Sequence, residues 1–235
     1  MEFTLLGAAF VAVIPIHFVL SWEAKRTNAA MCARNLWDIS LGAVVAGVFV
    51  GRLAAMLGDG VNPLTHPGDI LIIRGGVVTG PATIAAIATA AWFGRGVLWP
   101  VLDGLAASAL AGLAGWHAGC LVRGTCLGTP SGLPWAVSQE GSAVGRHPVE
   151  IYAAVLLIAA AVVLVWSRMK WTLPPGAPTG IALAVAAGVR LITEPLRPSL
   201  GGGPVWWYVA GFAAGIATAI WAWRRAGTQP ASDTS

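Results

Sequence analysis

Charged residues are scarce in this sequence. Only 10% of its 235 residues are Asp, Glu, Lys or Arg, whereas 57% are hydrophobic. A soluble domain covers its surface with charge, and about 25% of its residues are charged on average. The composition therefore excludes an ordinary soluble domain and predicts an integral membrane protein.

Cysteine is also rare, and the three present are Cys32, Cys120 and Cys126. They form neither a CxxC pair nor a Cys/His zinc pattern, so we expect no metal and no cofactor. A disulfide between Cys120 and Cys126 is one alternative in the topology predicted below. The net charge is +4, but no basic cluster is interleaved with exposed aromatic residues. We therefore expect no nucleic acid partner.

Seven apolar runs approach the length of about 20 residues that a helix needs to cross a bilayer. They cover residues 4–21, 39–57, 76–94, 97–115, 150–167, 178–194 and 204–223. The first run lacks a basic start and a small-residue cleavage site, so we expect a retained helix rather than a signal peptide. The predicted fold is an all-α polytopic membrane protein with about seven transmembrane helices. It has a single transmembrane domain (1–226), an external loop (about 115–149) and a disordered polar tail (227–235).

Basic residues in the connecting segments predict the orientation. With the N-terminus outside and the C-terminus cytoplasmic, the cytoplasmic segments carry about eight Lys and Arg and the external ones about four. Several arginines depart from this bias and project to the external side. A charge within the hydrocarbon costs at least a few kcal/mol, so such residues should face a polar cavity. We expect Arg52, Arg146 and Arg190 to share one.

The segment "RLITEPLR" places three charged residues on one helical face. Arg190, Glu194 and Arg197 have the spacing i, i+4, i+7. An arginine holds a phosphate through a bidentate fork, so a phospholipid headgroup in the outer leaflet is a fitting partner. The alternatives are snorkelling and local ion pairs, such as Arg190 with Glu194.

Four stretches of the chain resemble segments of bacterial prolipoprotein diacylglyceryl transferases, and along the chain they come in the same order as in that family. "GRLAAML" resembles the G-[GA]-R-L end of an early span, and "RLITEPLRP" resembles R-[LI]-[LI]-x-E-[FP]-[LF]-R. "RHPVEIYAA" resembles RHP-x-Q-[LI]-Y-[ED], and "GWHAGCLVRGTCLGTPSGLPW" resembles the signature R-[IL]-G-[NC]-F-x-[NA]-G-[EC]-x-x-G. The resemblance covers roughly residues 34–223.

This resemblance implies transfer of the diacylglyceryl group of phosphatidylglycerol to the lipobox cysteine of prolipoproteins. The reaction would occur at the outer face of the bacterial cytoplasmic membrane, with phosphatidylglycerol, the prolipoprotein signal peptide and membrane lipids as partners. It requires cations for the departing phosphate and a base for the thiol. The long external loop suits entry of the peptide. The residues that we expect to bind substrate are Arg52, Arg123, Arg146, Arg190, Arg197, Tyr152, Gly75, Gly76 and Gly128.

The chain departs from the family pattern at the position of a loop histidine or tyrosine. That position falls on Thr79 or Gly80, and neither can serve as a base. His117 stands where the signature has arginine. The candidate bases are His147, His117 and Glu194. The alternative function is a non-catalytic or differently acting phospholipid-binding relative. A transporter fits less well because the charges collect at one face.

Two acidic residues have structural interpretations. Glu150 stands where the family usually has Gln and follows Arg146 by four residues, so in a helix the two would pair. We therefore assign Glu150 a supporting role. Asp103 lies inside the fourth apolar run, where a buried acid is either a functional group or a hydrogen-bond partner of a neighbouring helix. We leave it outside the predicted site.

Overall fold

The structure is a computed structural model and describes residues 5–25, 35–71, 76–120, 127–138, 141–198 and 204–228. Most of these residues are helical, as predicted. The helices are α1 (Leu5–Ala24), α2 (Leu36–Gly58), α3 (Gly68–Leu71), α4 (Thr79–Phe93), α5 (Leu98–Ala118), α6 (Val149–Lys170), α7 (Ala177–Thr193) and α8 (Val205–Gly227). A 3-10 turn (Glu194–Leu196) continues α7. An antiparallel ribbon of β1 (Val137–Ser138) and β2 (Gly145–Arg146) interrupts the loop before α6 and was not predicted.

Each of the seven apolar runs lies on one of the long helices. Within the described residues, five helices are long and apolar enough to cross a membrane, namely α2, α5, α6, α7 with its 3-10 turn, and α8. Helix α4 has 15 residues. Along α1, the exposed side chains of Phe10, Ile14 and Phe18 form a stripe that suits contact with lipid. The architecture is that of a multi-pass membrane protein, and the total of seven spans remains a prediction.

Helices α7 and α8 are antiparallel and pack through small residues. A β carbon added at Gly180 would lie 2.5 Å from the backbone nitrogen of Ala219, and one at Gly215 would lie within 3.0 Å of the backbone of Ala184. Gly51 of α2 makes the same kind of close approach to α4. Small residues four positions apart let membrane helices bring their backbones together.

Because consecutive long helices are antiparallel, the molecule has two ends with different side chains. One end, which we call the site end, gathers the C-terminal ends of α5 and α7 with the N-terminal ends of α6 and α8. At the opposite end, Asp103 accepts hydrogen bonds from the backbone N–H groups of Gly176 (2.7 Å) and Thr179 (3.0 Å). Asp103 thus caps the N-terminus of α7, which explains this buried acid as a partner of a neighbouring helix.

A buried ion pair lies beside this cap. Arg168 of α6 donates to the carbonyl oxygen of Asp103 at 2.8 Å and pairs with Glu23 of α1. The contacts link α1, α5 and α6 at the opposite end. They account for these charges without a ligand.

Candidate functional site

A group of polar and charged side chains meets at the site end, where four helices converge. We call this group the polar cluster, and its members are His117, Glu150, Arg190, Glu194, Arg197 and Tyr208. Glu150 lies in the first turn of α6, where the helix dipole favours a negative charge. Arg190 lies in the last turn of α7 and Glu194 in the 3-10 turn, so the predicted face of the segment "RLITEPLR" contributes three members.

Glu150 is at the centre of the polar cluster. Its Oε2 bonds Nδ1 of His117, and its Oε1 accepts from Nη2 of Arg197 at 2.7 Å. Nη1 of Arg190 lies 3.9 Å from Oε2. His117 is 8% exposed, so the imidazole and the carboxylate meet in a largely water-free position. Burial of charge on this scale requires pairing, which the two arginines supply.

Sequence reasoning gave Glu150 a supporting role because it placed Arg146 on the same helix. Arg146 instead lies in β2, and α6 begins only at Val149, after Pro148. The helical spacing therefore does not apply to this pair. The signal that Glu150 matters was a carboxylate at the start of a membrane helix, where the family pattern has a neutral amide.

Arg190 and Arg197 are engaged to different degrees. Arg197 makes a short ion pair with Glu150, whereas Arg190 lies 3.9 Å from both Glu150 and Glu194. Nη2 of Arg190 donates to the Tyr208 hydroxyl at 3.1 Å, and the guanidinium carbon lies 5.3 Å from the centroid of that ring. Nε of Arg190 is buried and has no hydrogen-bond partner among the described residues. Buried donors nearly always have a hydrogen-bond partner, so an anionic ligand is a fitting acceptor for this N–H.

Glu194 is 8% exposed and also keeps an unsatisfied atom. Its Oε2 lies 3.9 Å from Arg190 and 4.0 Å from Arg197, and within the described part of the chain it accepts no hydrogen bond. The carboxylate therefore orients the two guanidinium groups by charge rather than by direct hydrogen bonding.

Gly128 joins the loop before α6 to the segment that carries Glu194. Its N–H donates to the His147 carbonyl at 2.7 Å, and its own carbonyl accepts from Nη1 of Arg146 at 3.1 Å. A β carbon at Gly128 would lie within 3.0 Å of both Val149 Cγ2 and the Leu196 carbonyl oxygen. Close packing therefore explains this glycine, and its contact with substrate remains a prediction.

His147 belongs to a neighbouring aromatic group. Its Nδ1 lies 3.5 Å from the hydroxyl of Tyr152, and that hydroxyl accepts from Nε1 of Trp135 at 2.8 Å. The backbone of His147 is bonded to Gly128 and Thr129. Its described contacts thus tie it to the loop and to Tyr152 rather than to a carboxylate.

Arg52 fixes the segment that follows α2. It is 4% exposed and donates to the Asp69 carbonyl from Nε (3.1 Å) and Nη2 (2.9 Å), and to the Gly76 carbonyl from Nη1 (3.3 Å). Gly76 has a φ of +83°, which favours glycine. The cavity that we expect Arg52 to share with Arg146 and Arg190 stays a prediction.

Several predicted positions contribute no base, or lie outside the described residues. Thr79 is exposed at the start of α4, and Gly80 lies against the Trp207 ring, 3.5 Å from an added β carbon. Arg123 and Gly75 lie outside the described ranges.

Cys120 is disulfide-bonded to a partner that also lies outside the described ranges. Among the described residues, no group of three His, Cys, Asp or Glu side chains could hold a metal ion.

Comparison with known proteins gives a consistent result. A family model described as prolipoprotein diacylglyceryl transferase matches residues 5–221. The chain is similar to the phosphatidylglycerol–prolipoprotein diacylglyceryl transferase of Cupriavidus pinatubonensis, with 28% identity over 82% of this chain and 76% of the relative. The enzyme of that name from Pseudomonas aeruginosa is 24% identical over 89% of this chain and 85% of its own. The one from Cereibacter sphaeroides is 32% identical over 66% and 59%. Because the family match spans nearly the whole helical bundle and includes every member of the polar cluster, the chain belongs to the prolipoprotein diacylglyceryl transferase family.

Proposed function

We propose that this protein transfers the diacylglyceryl group of phosphatidylglycerol to the lipobox cysteine thiol of prolipoproteins. Family membership and the names of its relatives support the activity. The structural observation that carries the chemistry is Arg190 at the site end, whose buried Nε has no hydrogen-bond partner within the described ranges. These facts favour an enzyme over a lipid-binding relative without catalysis.

The reaction builds negative charge on the leaving group. The cysteine sulfur attacks the glyceryl carbon that carries the phosphate ester, a C–S bond forms, and the C–O bond to phosphate breaks. The departing glycerol phosphate gains a second negative charge. A fixed guanidinium in a site that excludes water stabilises this charge more strongly than water does. Arg190 fits that task because its ion pairs are long and one of its donors has no partner in the part of the chain that the structure describes.

The other predicted residues take supporting positions in this proposal. Arg197 holds the carboxylate of Glu150, and Glu194 orients both guanidinium groups. Tyr152 and the apolar face of α6 border the acyl chains. The described parts of the loop before α6, residues 127–138 and 141–148, are fastened by Gly128 and Arg146, and this loop is the entry for the peptide. We propose additional phosphate contacts for Arg52, Arg123 and Arg146, and substrate contacts for Gly75 and Gly76.

We further propose that the site end faces the outer leaflet of the bacterial cytoplasmic membrane. This topology has seven spans within a single domain, with the N-terminus outside and the C-terminus cytoplasmic. The exposed basic residues at the opposite end support it, since cytoplasmic ends carry an excess of positive charge: Arg95, Lys170, Arg224 and Arg225. The disulfide at Cys120 supports it as well, because disulfides persist on the oxidising side of the membrane.

The direct test is incubation of purified protein with phosphatidylglycerol vesicles and a lipobox peptide. Mass spectrometry then measures the diacylglyceryl adduct on the cysteine, and a second assay measures released glycerol phosphate. We expect both products, and a loss of about 10²-fold or more in Arg190→Ala. Arg95→Ala removes an exposed arginine at the opposite end and should leave the rate unchanged. Absence of adduct from the unmodified protein, with a known transferase active in parallel, would refute the proposal.

A further inference from the structure

We infer that His117 is the base that takes the proton from the cysteine thiol, with Glu150 as the residue that positions it. The inference deepens the proposed function and rests on it. It begins from the contact between Nδ1 of His117 and Oε2 of Glu150, two residues that are 33 positions apart in sequence. A base at this site is needed because the thiolate, not the thiol, is the nucleophile.

The other three histidines of the chain have different surroundings. His17 lies in the half of α1 that leads to the opposite end, where its ring packs against Trp37. His66 is exposed in the loop before α3 and bonds its neighbour Thr65. His147 bonds the hydroxyl of Tyr152. His117 is therefore the histidine whose ring nitrogen contacts a carboxylate within the polar cluster.

The contact with Glu150 determines which nitrogen of His117 carries the proton. A carboxylate accepts hydrogen bonds, so Nδ1 of the neutral imidazole is the N–H donor. Nε2 is then free of a proton and has a lone pair for the thiol. The carboxylate also stabilises the imidazolium after transfer, as in other carboxylate–histidine pairs that act on a nucleophile.

The charged groups around His117 come from more than one element. From α6 it faces Glu150, whose charge is partly taken up by Arg197 and Arg190. Glu194 offsets the two guanidinium groups. On the other side, α1 packs against the same end of α5 with the apolar Val11 and Pro15 near Gly115. Among the residues that the structure describes, the titratable groups that bear on His117 are thus those of the polar cluster.

The step balances without an added reactant. Nε2 of His117 accepts the thiol proton, and the resulting thiolate attacks the glyceryl carbon. The C–S bond forms as the C–O bond to phosphate breaks, and the bonding electrons leave with the phosphate oxygen. The proton on His117 then passes to the released glycerol phosphate or to water, which restores the neutral imidazole.

The test compares variants in the transferase assay as a function of pH. We expect His117→Gln to lower kcat by about 10²- to 10⁴-fold, the usual contribution of a general base, while phosphatidylglycerol binding is retained. Exogenous imidazole should restore part of the rate to His117→Ala. Glu150→Gln should lower kcat and move the rising limb of the pH–rate profile to lower pH, because the imidazolium loses its carboxylate partner. His66→Gln is the matched control and should match the unmodified protein.

The outcomes distinguish the role of His117 as the base from the proposed transferase function. Adduct formation by the unmodified protein, with an unchanged kcat in His117→Gln, overturns the inference and leaves the proposed function standing. No adduct from the unmodified protein overturns the function itself. If His117→Gln fails to fold, the pH–rate profile of Glu150→Gln still tests the inference. A purely structural role for Glu150 would leave the rising limb of that profile at the same pH as in the unmodified protein.

Discussion

Replacement of Gly128 by alanine should slow the reaction by about 10²-fold, because misplacement of catalytic groups by about 1 Å costs that much. The added β carbon would lie within 3.0 Å of Val149 Cγ2 and of the Leu196 carbonyl, a separation that real β carbons essentially never show. Val149 precedes Glu150 at the start of α6, and Leu196 lies between Glu194 and Arg197. The methyl group therefore forces apart the two segments that carry most of the polar cluster.

The energetic cost to folding should be moderate. Overpacking of a tight site usually costs about 1–3 kcal/mol, so Gly128→Ala should remain folded in detergent with a lowered melting temperature. Gly132→Ala is the matched control, since Gly132 is exposed in the same loop and an added β carbon there has no neighbour among the described residues within 4 Å. The assay is the initial rate of adduct formation at saturating phosphatidylglycerol. Equal rates for Gly128→Ala and Gly132→Ala would refute the reasoning.

Three further predictions concern other parts of the molecule. Gly215→Ala should lower the melting temperature in detergent, whereas Gly211→Ala should not, because its β carbon meets Ala187 at an ordinary 3.4 Å; equal stability would contradict the packing argument. Asp103→Ala should destabilise by about 2 kcal/mol through loss of the cap of α7, with KM unchanged in the protein that remains folded. Tyr208→Phe removes the acceptor of Arg190 and should weaken phosphatidylglycerol binding about fivefold in a vesicle assay, as expected for the loss of one hydrogen bond; tighter or unchanged binding would contradict it.

The positions of the long helices follow from composition alone, because membrane helices need continuous apolar runs. The fourth run, predicted at 97–115, forms α5 from Leu98 to Ala118, and the others agree to within a few residues. The ribbon of β1 and β2 was missed because strands of two residues leave no periodic pattern to detect.

Only the part of the candidate site that lies within one segment of the chain could be predicted from the sequence. Arg190, Glu194 and Arg197 follow each other on consecutive turns, so helical spacing alone predicts that they lie together. Glu150 and Tyr208 reach the same place from other helices. Their contacts depend on how α6 and α8 pack, and the packing of α8 on α7 is set by glycines whose partners the spacing does not reveal.

The formal charges of the polar cluster explain why a carboxylate stands beside the base. Two guanidinium and two carboxylate groups cancel while His117 is neutral. When the thiol proton moves to His117, the cluster gains one positive charge, and the phosphate gains one negative charge when the thiolate then attacks the glyceryl carbon. The site thus supplies its stabilising charge only as the reaction proceeds, which is the condition for raising kcat rather than ground-state affinity.

Removal of the carboxylate tests this charge balance. Glu150→Gln gives the cluster its positive charge before the reaction, so the variant should bind phosphatidylglycerol more tightly and turn over more slowly. KM and kcat should therefore fall together. Structural damage to the site would instead raise KM as kcat falls, and that result would refute the role of Glu150 in balancing the charge of the polar cluster.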